Sequence, residues 1–284
     1  MEHKSLCINP KDFHAVSEKL RAFFEGRGFV EVHPQNRLSI LAACEDPSTI
    51  STFQYAGQKW PLPQTGQMWL EYEMLKDPTP PGYFCMSTSY RNEPNPVEGR
   101  HDLIFPMFEF ELKGNMNDLR KMEMELLDHL GYGKDKKEGE DYPRGDYTDV
   151  AKKYGCRELE HSHEQNMYED YGSAFFLENF PDHTHPFWNM QRNEKDDGAN
   201  KIDVILSGHE TIGSAERSSD PKAMREGFRT ISDGMYAKTI YNHFGTERVN
   251  KELDDFLSNS FIPRSGGGIG MTRLIRSMKK EGLI

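Results

Sequence analysis

Two strand-like segments joined by a proline-containing loop constrain the fold of this chain most. The first reads Ser-Tyr-Arg-Asn-Glu at residues 89–93, and the second is predicted to return over residues 103–112. Pro94 and Pro96 signal a loop between the two segments. Strands that pair through such short loops are typical of an antiparallel sheet, unlike the alternating βαβ units of a parallel sheet.

Charged and aromatic side chains on this hairpin match the needs of a bound ATP. Arg91 can pair bidentately with an oxygen of the α-phosphate. Glu93 is expected on the same strand face as Arg91, because side chains alternate along a strand. Arg100 and His101 lie in the loop, where they could fold over the outer phosphates, and Phe105 can lie against a purine.

A second arginine follows a glycine-rich segment near the end of the sequence. Residues 266–270 read Gly-Gly-Gly-Ile-Gly, and Arg273 comes shortly after them. Glycine lacks a Cβ and so lets the backbone approach a ligand closely. Fixed positive charge promotes attack of a carboxylate on the α-phosphorus, which makes Arg91 and Arg273 candidate catalytic residues. Each feature alone is more often a surface ion pair or a flexible turn, and only their combination favours an adenylate-forming enzyme.

Two carboxylates and a third arginine form another group. Asp203 and Glu210 are seven residues apart and are expected on adjacent strands, where they could bind Mg²⁺ together with substrate phosphates. Arg217 lies seven residues further on, beyond the small residue Gly213, which leaves space for a ligand. Such an arginine is suited to binding a carboxylate or an amide oxygen.

These segments resemble, in order, the signature motifs of the class II aminoacyl-tRNA synthetases. Residues 10–34 are similar to motif 1, residues 89–109 to motif 2 and residues 266–276 to motif 3. The acidic pair and the third arginine recur in the same order in the aspartyl and asparaginyl branch of that family. The resemblance implies the class II core fold, an α+β domain in which an antiparallel sheet of about six strands is flanked by helices.

The resemblance also implies how the chain is organised and what it binds. It assigns residues 1–284 to a single catalytic domain, without the N-terminal β-barrel that reads the anticodon in the related synthetases. It implies ATP and Mg²⁺ as cofactors, an Asp- or Asn-type amino acid as substrate, and a homodimer built through motif 1. The apolar Phe23, Phe24, Val30 and Val32 are consistent with that interface or with an ordinary core.

Position by position, the resemblance assigns roles to individual side chains. ATP binding is implied for Arg91, Glu93, Arg100, His101, Phe105, Gly268, Gly270 and Arg273. Amino-acid binding is implied for Glu45, Gln67, Glu71, Glu109, His185, Gly213 and Arg217, and metal binding for Asp203 and Glu210.

The sequence also departs from the family pattern. A lysine of the aspartyl enzymes is replaced by Leu70, and Ile104 and Thr272 replace acids that usually precede the motif 2 phenylalanine and the motif 3 arginine.

The composition favours a water-soluble enzyme and counts against a nucleic-acid-binding surface. The net charge is −11 and the isoelectric point is near 5.5, whereas nucleic-acid binders usually carry a basic face. No apolar run approaches the length of a membrane span or a signal peptide, so we expect a cytoplasmic protein with no membrane partner. Cys7, Cys44, Cys85 and Cys156 lack a Cys-x-x-Cys pair, which argues against a zinc site or a disulfide framework.

Three functions remain open at this point. The first, favoured by the acidic composition and the missing anticodon domain, is an amide ligase similar to the ammonia-dependent asparagine synthetases. In such an enzyme aspartate is adenylated, and ammonia or another amine displaces AMP. The second is a truncated asparaginyl- or aspartyl-type synthetase that charges tRNA or another macromolecule. The third is a non-catalytic amino-acid sensor, against which the intact pyrophosphate-binding arginine argues.

The sequence also predicts helices near the N-terminus and after the motif 2 hairpin. An apolar stripe between Phe13 and Phe24 predicts a helix that stops at Gly28 and runs into a strand. Asn117 is expected to cap a second helix over residues 118–129, whose apolar stripe belongs to the core.

Residues 148–171 are predicted to be helical. His161 and His163 are expected to be solvent-exposed and not a metal site, because residues two apart point to different sides of a helix. Residues 175–179 and 202–206 are predicted strands.

Overall fold

The computed structural model describes residues 8–35, 37–41, 47–94, 96, 102–135, 141–193 and 198–284. The strands of these residues are, in chain order, β1 (Val30–Glu31), β2 (Ser51–Tyr55), β3 (Gln58–Leu62), β4 (Gly82–Tyr90), β5 (Ile104–Lys113), β6 (Arg144–Asp146), β7 (Ala174–Phe180), β8 (Ala199–Leu206), β9 (His209–Arg217) and β10 (Arg264–Gly270). The helices are α1 (Pro10–Glu25), α2 (Gln67–Lys76), α3 (Met116–Leu130), α4 (Tyr147–Lys153), α5 (His161–Tyr171), α6 (Pro221–Thr230), α7 (Met235–Phe244), α8 (Thr246–Leu257) and α9 (Met271–Lys280).

One large sheet organises the described part of the chain. Its eight strands run in the order β1-β4-β5-β10-β9-β8-β7-β6, and β2 and β3 form a separate hairpin. Every inner pair, from β4–β5 to β8–β7, is antiparallel. The two edge strands, β1 and β6, pair parallel with their neighbours. The predicted α+β fold with a largely antiparallel sheet is confirmed, and the short parallel edge strands are an addition that the sequence did not predict.

Helix α1 forms where the apolar stripe predicted it. The Asn9 side chain accepts a hydrogen bond from the Lys11 amide at 2.9 Å, and proline occupies the first turn, where it is tolerated. Val16, Leu20 and their apolar neighbours on the same face are buried. Burial of each such side chain contributes roughly 1.5–3 kcal/mol to the stability of the fold. Gly28 has a φ of +78°, a left-handed conformation that favours glycine and ends this segment before β1.

The cap of helix α3 lies two residues earlier than predicted. Asn115, and not Asn117, accepts the capping hydrogen bond, which the Asn117 amide donates at 2.8 Å. The Asp118 side chain in turn accepts from the Asn115 amide at 2.9 Å and completes a capping box. The reciprocal bond to Asp118 decides between the two asparagines, because only Asn115 stands three residues before an acid.

The predicted helical region 148–171 is two helices, α4 and α5, with a break between them. His161 is exposed, and the His163 ring nitrogen Nδ1 accepts a hydrogen bond from the Glu160 amide at 2.8 Å. His163 therefore caps α5, a role that the sequence prediction missed. Within the described residues no group of three or more histidine, cysteine, aspartate or glutamate side chains could hold a metal ion.

Side chains alternate between the two faces of β5, and this separates the core from the functional face. Phe108 and Phe110 are buried against Phe24 of α1, with ring centroids 5.2 and 5.3 Å from that ring. Phe105 and Glu109 lie on the opposite face, where they line a cavity. None of the described helices is both long and apolar enough to span a bilayer.

Candidate active site

A cavity of about 300 Å³ lies over the face of the sheet that is turned away from α1. The antiparallel register determines which residues of the two central strands lie side by side beneath it: Met107, Glu109 and Glu111 of β5 pair with Gly270, Gly268 and Gly266 of β10. Among the residues predicted from the sequence, those lining it are Gln67, Glu71, Arg91, Glu93, Phe105, Glu109, Glu210, Gly213, Arg217, Gly268, Gly270 and Arg273. The structure thus brings together side chains that are far apart in the sequence.

Arg91 and Phe105 lie close together at the tip of the hairpin. Strand β4 ends at Tyr90, so Arg91 and Glu93 follow the strand and do not share one of its faces as predicted. The Arg91 amide still donates to the Leu103 carbonyl at 2.8 Å, which extends the pairing beyond the strand. The Arg91 guanidinium carbon is 5.7 Å from the centroid of the Phe105 ring.

Arg273 reaches the same region from the first turn of α9. Its Nη1 donates to the Glu210 carbonyl at 2.6 Å and lies 3.6 Å from Glu210 Oε2. The residue before the helix is Gly270, which has no side chain to cap the first turn. The positive end of the α9 dipole therefore adds to the charge of Arg273 at the cavity wall.

The glycine run of β10 has a packing role that the sequence did not predict. A Cβ at Gly266 would overlap the Glu111 carboxylate, and a Cβ at Gly268 would lie 2.7 Å from the end of the Met107 side chain. These glycines therefore accommodate side chains of the neighbouring strand β5. Gly270, by contrast, has only distant neighbours, at 3.8 Å or more from its Cβ position.

Asp203 and Glu210 converge on Gly213. Their oxygens lie 3.6 and 3.2 Å, respectively, from the position a Cβ would occupy on that glycine. Asp203 stands on β8 and Glu210 on β9, which are adjacent strands as predicted. The other Asp203 oxygen forms an ion pair with Lys201 at 3.1 Å. Mg²⁺ often takes one or two carboxylates and completes its shell with phosphate oxygens and water, so this pair fits such an ion.

Glu109 holds the start of α2 in place. Its carboxylate accepts from the Gly66 amide at 2.8 and 3.0 Å and from the hydroxyls of Thr65 and Ser87. Burial raises the pKa of Glu109, and these hydrogen bonds act against that rise. Gln67 follows in the first turn of α2, and its buried Nε2 has no hydrogen-bond partner among the described residues, which leaves this atom for a ligand.

Two arginines and two glutamates are buried together at the far part of the cavity. Arg217 donates from Nε and Nη2 to the two oxygens of Glu111, both at 3.3 Å. Glu71 Oε2 accepts from Arg264 at 3.0 and 2.7 Å, and its Oε1 is 3.9 Å from Arg217. The four side chains are between 0 and 4% exposed. We refer to Glu71, Glu111, Arg217 and Arg264 as the four-charge cluster.

Burial raises the pKa of Glu111 to about 7. The neighbouring Glu71 adds to this rise, while Arg217 and Arg264 oppose it. Glu71 was predicted to bind the amino acid. It does line the cavity, but both of its oxygens are already engaged, one by Arg264 and the other by Asn189 at 2.6 Å. Its position therefore serves mainly to hold the arginines.

His185 does not join the cavity. It is exposed and adopts a left-handed conformation with φ of +52°, and its amide closes a turn on Asp182 at 2.9 Å. Phe187 and Asn189, a few residues later, line the cavity instead. The remaining predicted site residues, Glu45, Arg100 and His101, lie outside the described residues.

A family model described as "tRNA synthetases class II (D, K and N)" matches residues 8–284. The chain belongs to this class II tRNA synthetase family. The match covers nearly the whole chain, and it agrees with the large, mostly antiparallel sheet of the structure.

Solved structures of class II synthetases share the fold. The asparaginyl-tRNA synthetase from Pyrococcus horikoshii complexed with asparaginyl-adenylate superposes with a TM-score of 0.76 at 21% identity, covering 95% of this chain and 64% of that one. The asparaginyl-tRNA synthetase from Entamoeba histolytica in complex with asparaginyl-adenylate gives 0.73 at 19% identity, with 95% and 63% coverage. A putative aspartyl-tRNA synthetase from Leishmania major Friedlin gives 0.71 at 16%, with 94% and 61% coverage. The chain thus spans less than two thirds of the length of each.

Glu111 and Arg264 of the candidate site were not predicted from the sequence. Glu111 could have been found, because it stands two residues after Glu109 on the same strand and therefore on the same face. Arg264 carries no local signal, since its partner Glu71 lies 193 positions away in the sequence. Leu70, which replaces the aspartyl-type lysine, is fully buried in a small apolar cluster with Met74.

Proposed function

We propose that the chain is an ATP-dependent, AMP-forming ligase that activates an Asp- or Asn-type amino acid and transfers it to ammonia or another amine. The observation that carries this proposal is the placement of arginines toward both ends of one cavity. Phe105 lines it, and Glu111, which binds Arg217 behind the cavity wall, is six positions further along β5, a separation of about 20 Å at about 3.4 Å per residue. Arg91 and Arg273 lie at the Phe105 end, and Arg217 lies at the Glu111 end. A nucleotide and an amino acid can therefore lie end to end.

In the first step, a carboxylate oxygen of the amino acid attacks the α-phosphorus of ATP. The new oxygen–phosphorus bond forms as the bond to the bridging oxygen breaks, and pyrophosphate leaves with the bonding electrons. Arg91 and Arg273 carry fixed positive charge where negative charge grows on the phosphoryl oxygens and on pyrophosphate. Phe105 holds the adenine by stacking, as an aromatic ring on this face is able to do.

Asp203 and Glu210 would hold a Mg²⁺ ion beside the phosphates. When bound, this ion would neutralise phosphate charge and so ease the departure of pyrophosphate. Lys201, paired with Asp203 in the structure, keeps that carboxylate oriented before ATP arrives.

In the second step, an amine nitrogen attacks the acyl carbon of the adenylate. The new carbon–nitrogen bond forms as the bond from the acyl carbon to the phosphate oxygen breaks, so that AMP leaves and the nitrogen releases a proton to solvent. The net charge of −11 supports a small amine over a nucleic acid as the acceptor, because binding of a phosphate backbone usually needs a basic face. Charging of tRNA is the second candidate. It is favoured by the family itself and by the asparaginyl-tRNA synthetases that share the fold.

ATP–pyrophosphate exchange across the amino acids tests the first step. We expect exchange with Asp or Asn and with few other amino acids. AMP release should then increase on addition of ammonium or hydroxylamine, and should respond less to total tRNA. Efficient and salt-sensitive tRNA charging would instead establish the second candidate. Binding of Asp or Asn without any exchange would reject a catalytic role and indicate an amino-acid sensor.

A further inference from the structure

In the four-charge cluster, Arg217 forms part of the cavity wall that the substrate side chain would contact. Its partner Glu111 lies behind that wall. Arg217 lines the cavity, whereas Glu111 is fully buried and touches the cavity only through Arg217. The Glu111 carboxylate packs against Gly266, the position where a Cβ would overlap it. Two hydrogen bonds from Arg217 hold the Glu111 carboxylate in the space that Gly266 leaves, so Glu111 acts on the substrate through that arginine.

The charge of the cluster depends on the protonation of Glu111. With both glutamates ionised, the two arginines are balanced and the cluster is neutral. An incoming side-chain carboxylate would then add an unbalanced buried charge, which is strongly unfavourable. With Glu111 protonated, the cluster carries one positive charge, which a carboxylate can balance. A side-chain amide brings no charge and fits the neutral cluster.

We propose that Glu111 sets the charge preference of the amino-acid site, so that a substrate with a side-chain carboxylate binds with uptake of one proton by Glu111. A substrate with a side-chain amide binds without that uptake. This inference rests on the proposed function, since it takes Arg217 as the contact for the substrate side chain. It makes Glu111 a positioning residue that determines specificity, and it adds a dependence on pH to the choice between Asp and Asn.

The charged groups around Glu111 support this assignment. They are Arg217 on β9, Arg264 on β10 and Glu71 on α2, with Glu109 as the next acid on the same face of β5. Glu109 accepts its hydrogen bonds from uncharged groups at the start of α2 and from Ser87, and no arginine donates to it among the described residues. Because the pKa of Glu111 is raised to about 7, its protonation changes near neutral pH.

The direction of the effect follows from the raised pKa. Below about pH 7, Glu111 is protonated and a carboxylate is accepted. Above that value Glu111 is ionised, and binding a carboxylate requires a proton from solution. The ratio of KM for Asp to KM for Asn should therefore rise with pH, by up to about tenfold per pH unit above the pKa.

The test is pyrophosphate exchange with Asp and with Asn, measured for three proteins from about pH 6 to about pH 8. Wild type should show the rising KM ratio with little change in the kcat ratio. Glu111→Gln fixes the cluster at one positive charge, so its KM ratio should be independent of pH and should favour Asp. Glu123→Gln is the matched control, because Glu123 is also fully buried with a raised pKa but belongs to α3, and it should keep the wild-type slope. A flat ratio in wild type, or an unchanged slope in Glu111→Gln, would overturn the inference.

Calorimetry on the wild-type protein tests the proposed proton uptake even if Glu111→Gln does not fold. Binding near pH 8 in two buffers of different ionisation enthalpy reports the number of protons taken up. We expect close to one more proton for Asp than for Asn. Equal proton uptake would contradict the inference while leaving the proposed function intact. Absence of exchange with measurable binding would reject the function alone, and absence of binding of either amino acid would reject both.

Discussion

At the scale of single residues, charge placement defines the candidate site. Arg91 and Arg273 are far apart in the sequence and both line the cavity, and neither stands on a strand of the sheet. Their roles differ from that of Arg217, which is held by a buried glutamate. An arginine bound to a backbone carbonyl, as Arg273 is, keeps its charge directed at the cavity.

Replacing either Arg91 or Arg273 should abolish adenylation without unfolding the protein. Arg91→Ala and Arg273→Ala each remove charge that the transition state needs, a loss on the order of 10² or more in rate. Pyrophosphate exchange measures the loss, and circular dichroism checks the fold. Arg21→Ala is the control, because Arg21 forms an exposed ion pair with Glu31 on the other side of the sheet. Near-normal exchange in either cavity variant would disprove the assigned roles.

Replacing the two converging carboxylates should change the metal requirement. Asp203→Asn with Glu210→Gln removes anionic charge without changing side-chain size, so more Mg²⁺ should be needed for half-maximal exchange. A Mg²⁺ titration of exchange activity measures this shift. Asp182→Asn, at an exposed site outside the cavity, serves as control. An unchanged Mg²⁺ titration in the double variant would place the ion elsewhere.

At the scale of elements, prediction from sequence succeeded where the signal is local. Helix α1 was predicted because its apolar stripe and Gly28 lie within one short segment. The cap of α3 was misplaced, because two asparagines stand two residues apart and only the bond to Asp118 distinguishes them. The four-charge cluster was not predicted, since it depends on the register that pairs Glu111 with Gly266 and Arg264 with Arg217. That register joins strands that are far apart in the sequence.

Helix α3 carries a buried acid that should make stability depend on pH. Burial raises the pKa of Glu123 to about 8, and the carboxylates of Glu178 and Asp203 add to the rise. The unfolded chain releases this proton at a lower pH, so the free energy of unfolding should fall as pH increases toward 8, by up to about 1.4 kcal/mol per pH unit. Glu123→Gln should remove this part of the decline, as thermal unfolding at pH values on either side of the transition would show.

Glu125→Gln provides the comparison for that measurement. Glu125 stands on the same helix, and its side chain is 42% exposed beside Arg27. Surface pairs of this kind contribute little to stability. If the two glutamine variants followed the same pH dependence of unfolding, the decline would not come from Glu123.

At the scale of the whole molecule, the sheet has a short edge strand with an exposed apolar residue. Val30 on β1 is 44% exposed, although it pairs with β4 on its inner side. Among the described residues no strand pairs with the outer side of β1, and an open sheet edge can pair with a second copy. We therefore expect a homodimer through this edge. Val30→Lys should shift the mass measured by light scattering toward the monomer, whereas Lys279→Ala, on the exposed face of α9, should leave it unchanged. A wild-type monomer at micromolar concentration would contradict this expectation.

Because side chains alternate along β5, one face of this strand is constrained by folding and the other by substrate binding. Phe108 and Phe110 face α1, while Phe105 and Glu109 face the cavity. In a library of substitutions at every position of this strand, the effect of a substitution should therefore alternate from one position to the next. Substitutions at one set would lower protein abundance, and substitutions at the other would change substrate choice while abundance is retained. Specificity could then drift in evolution along this strand without the fold having to change with it.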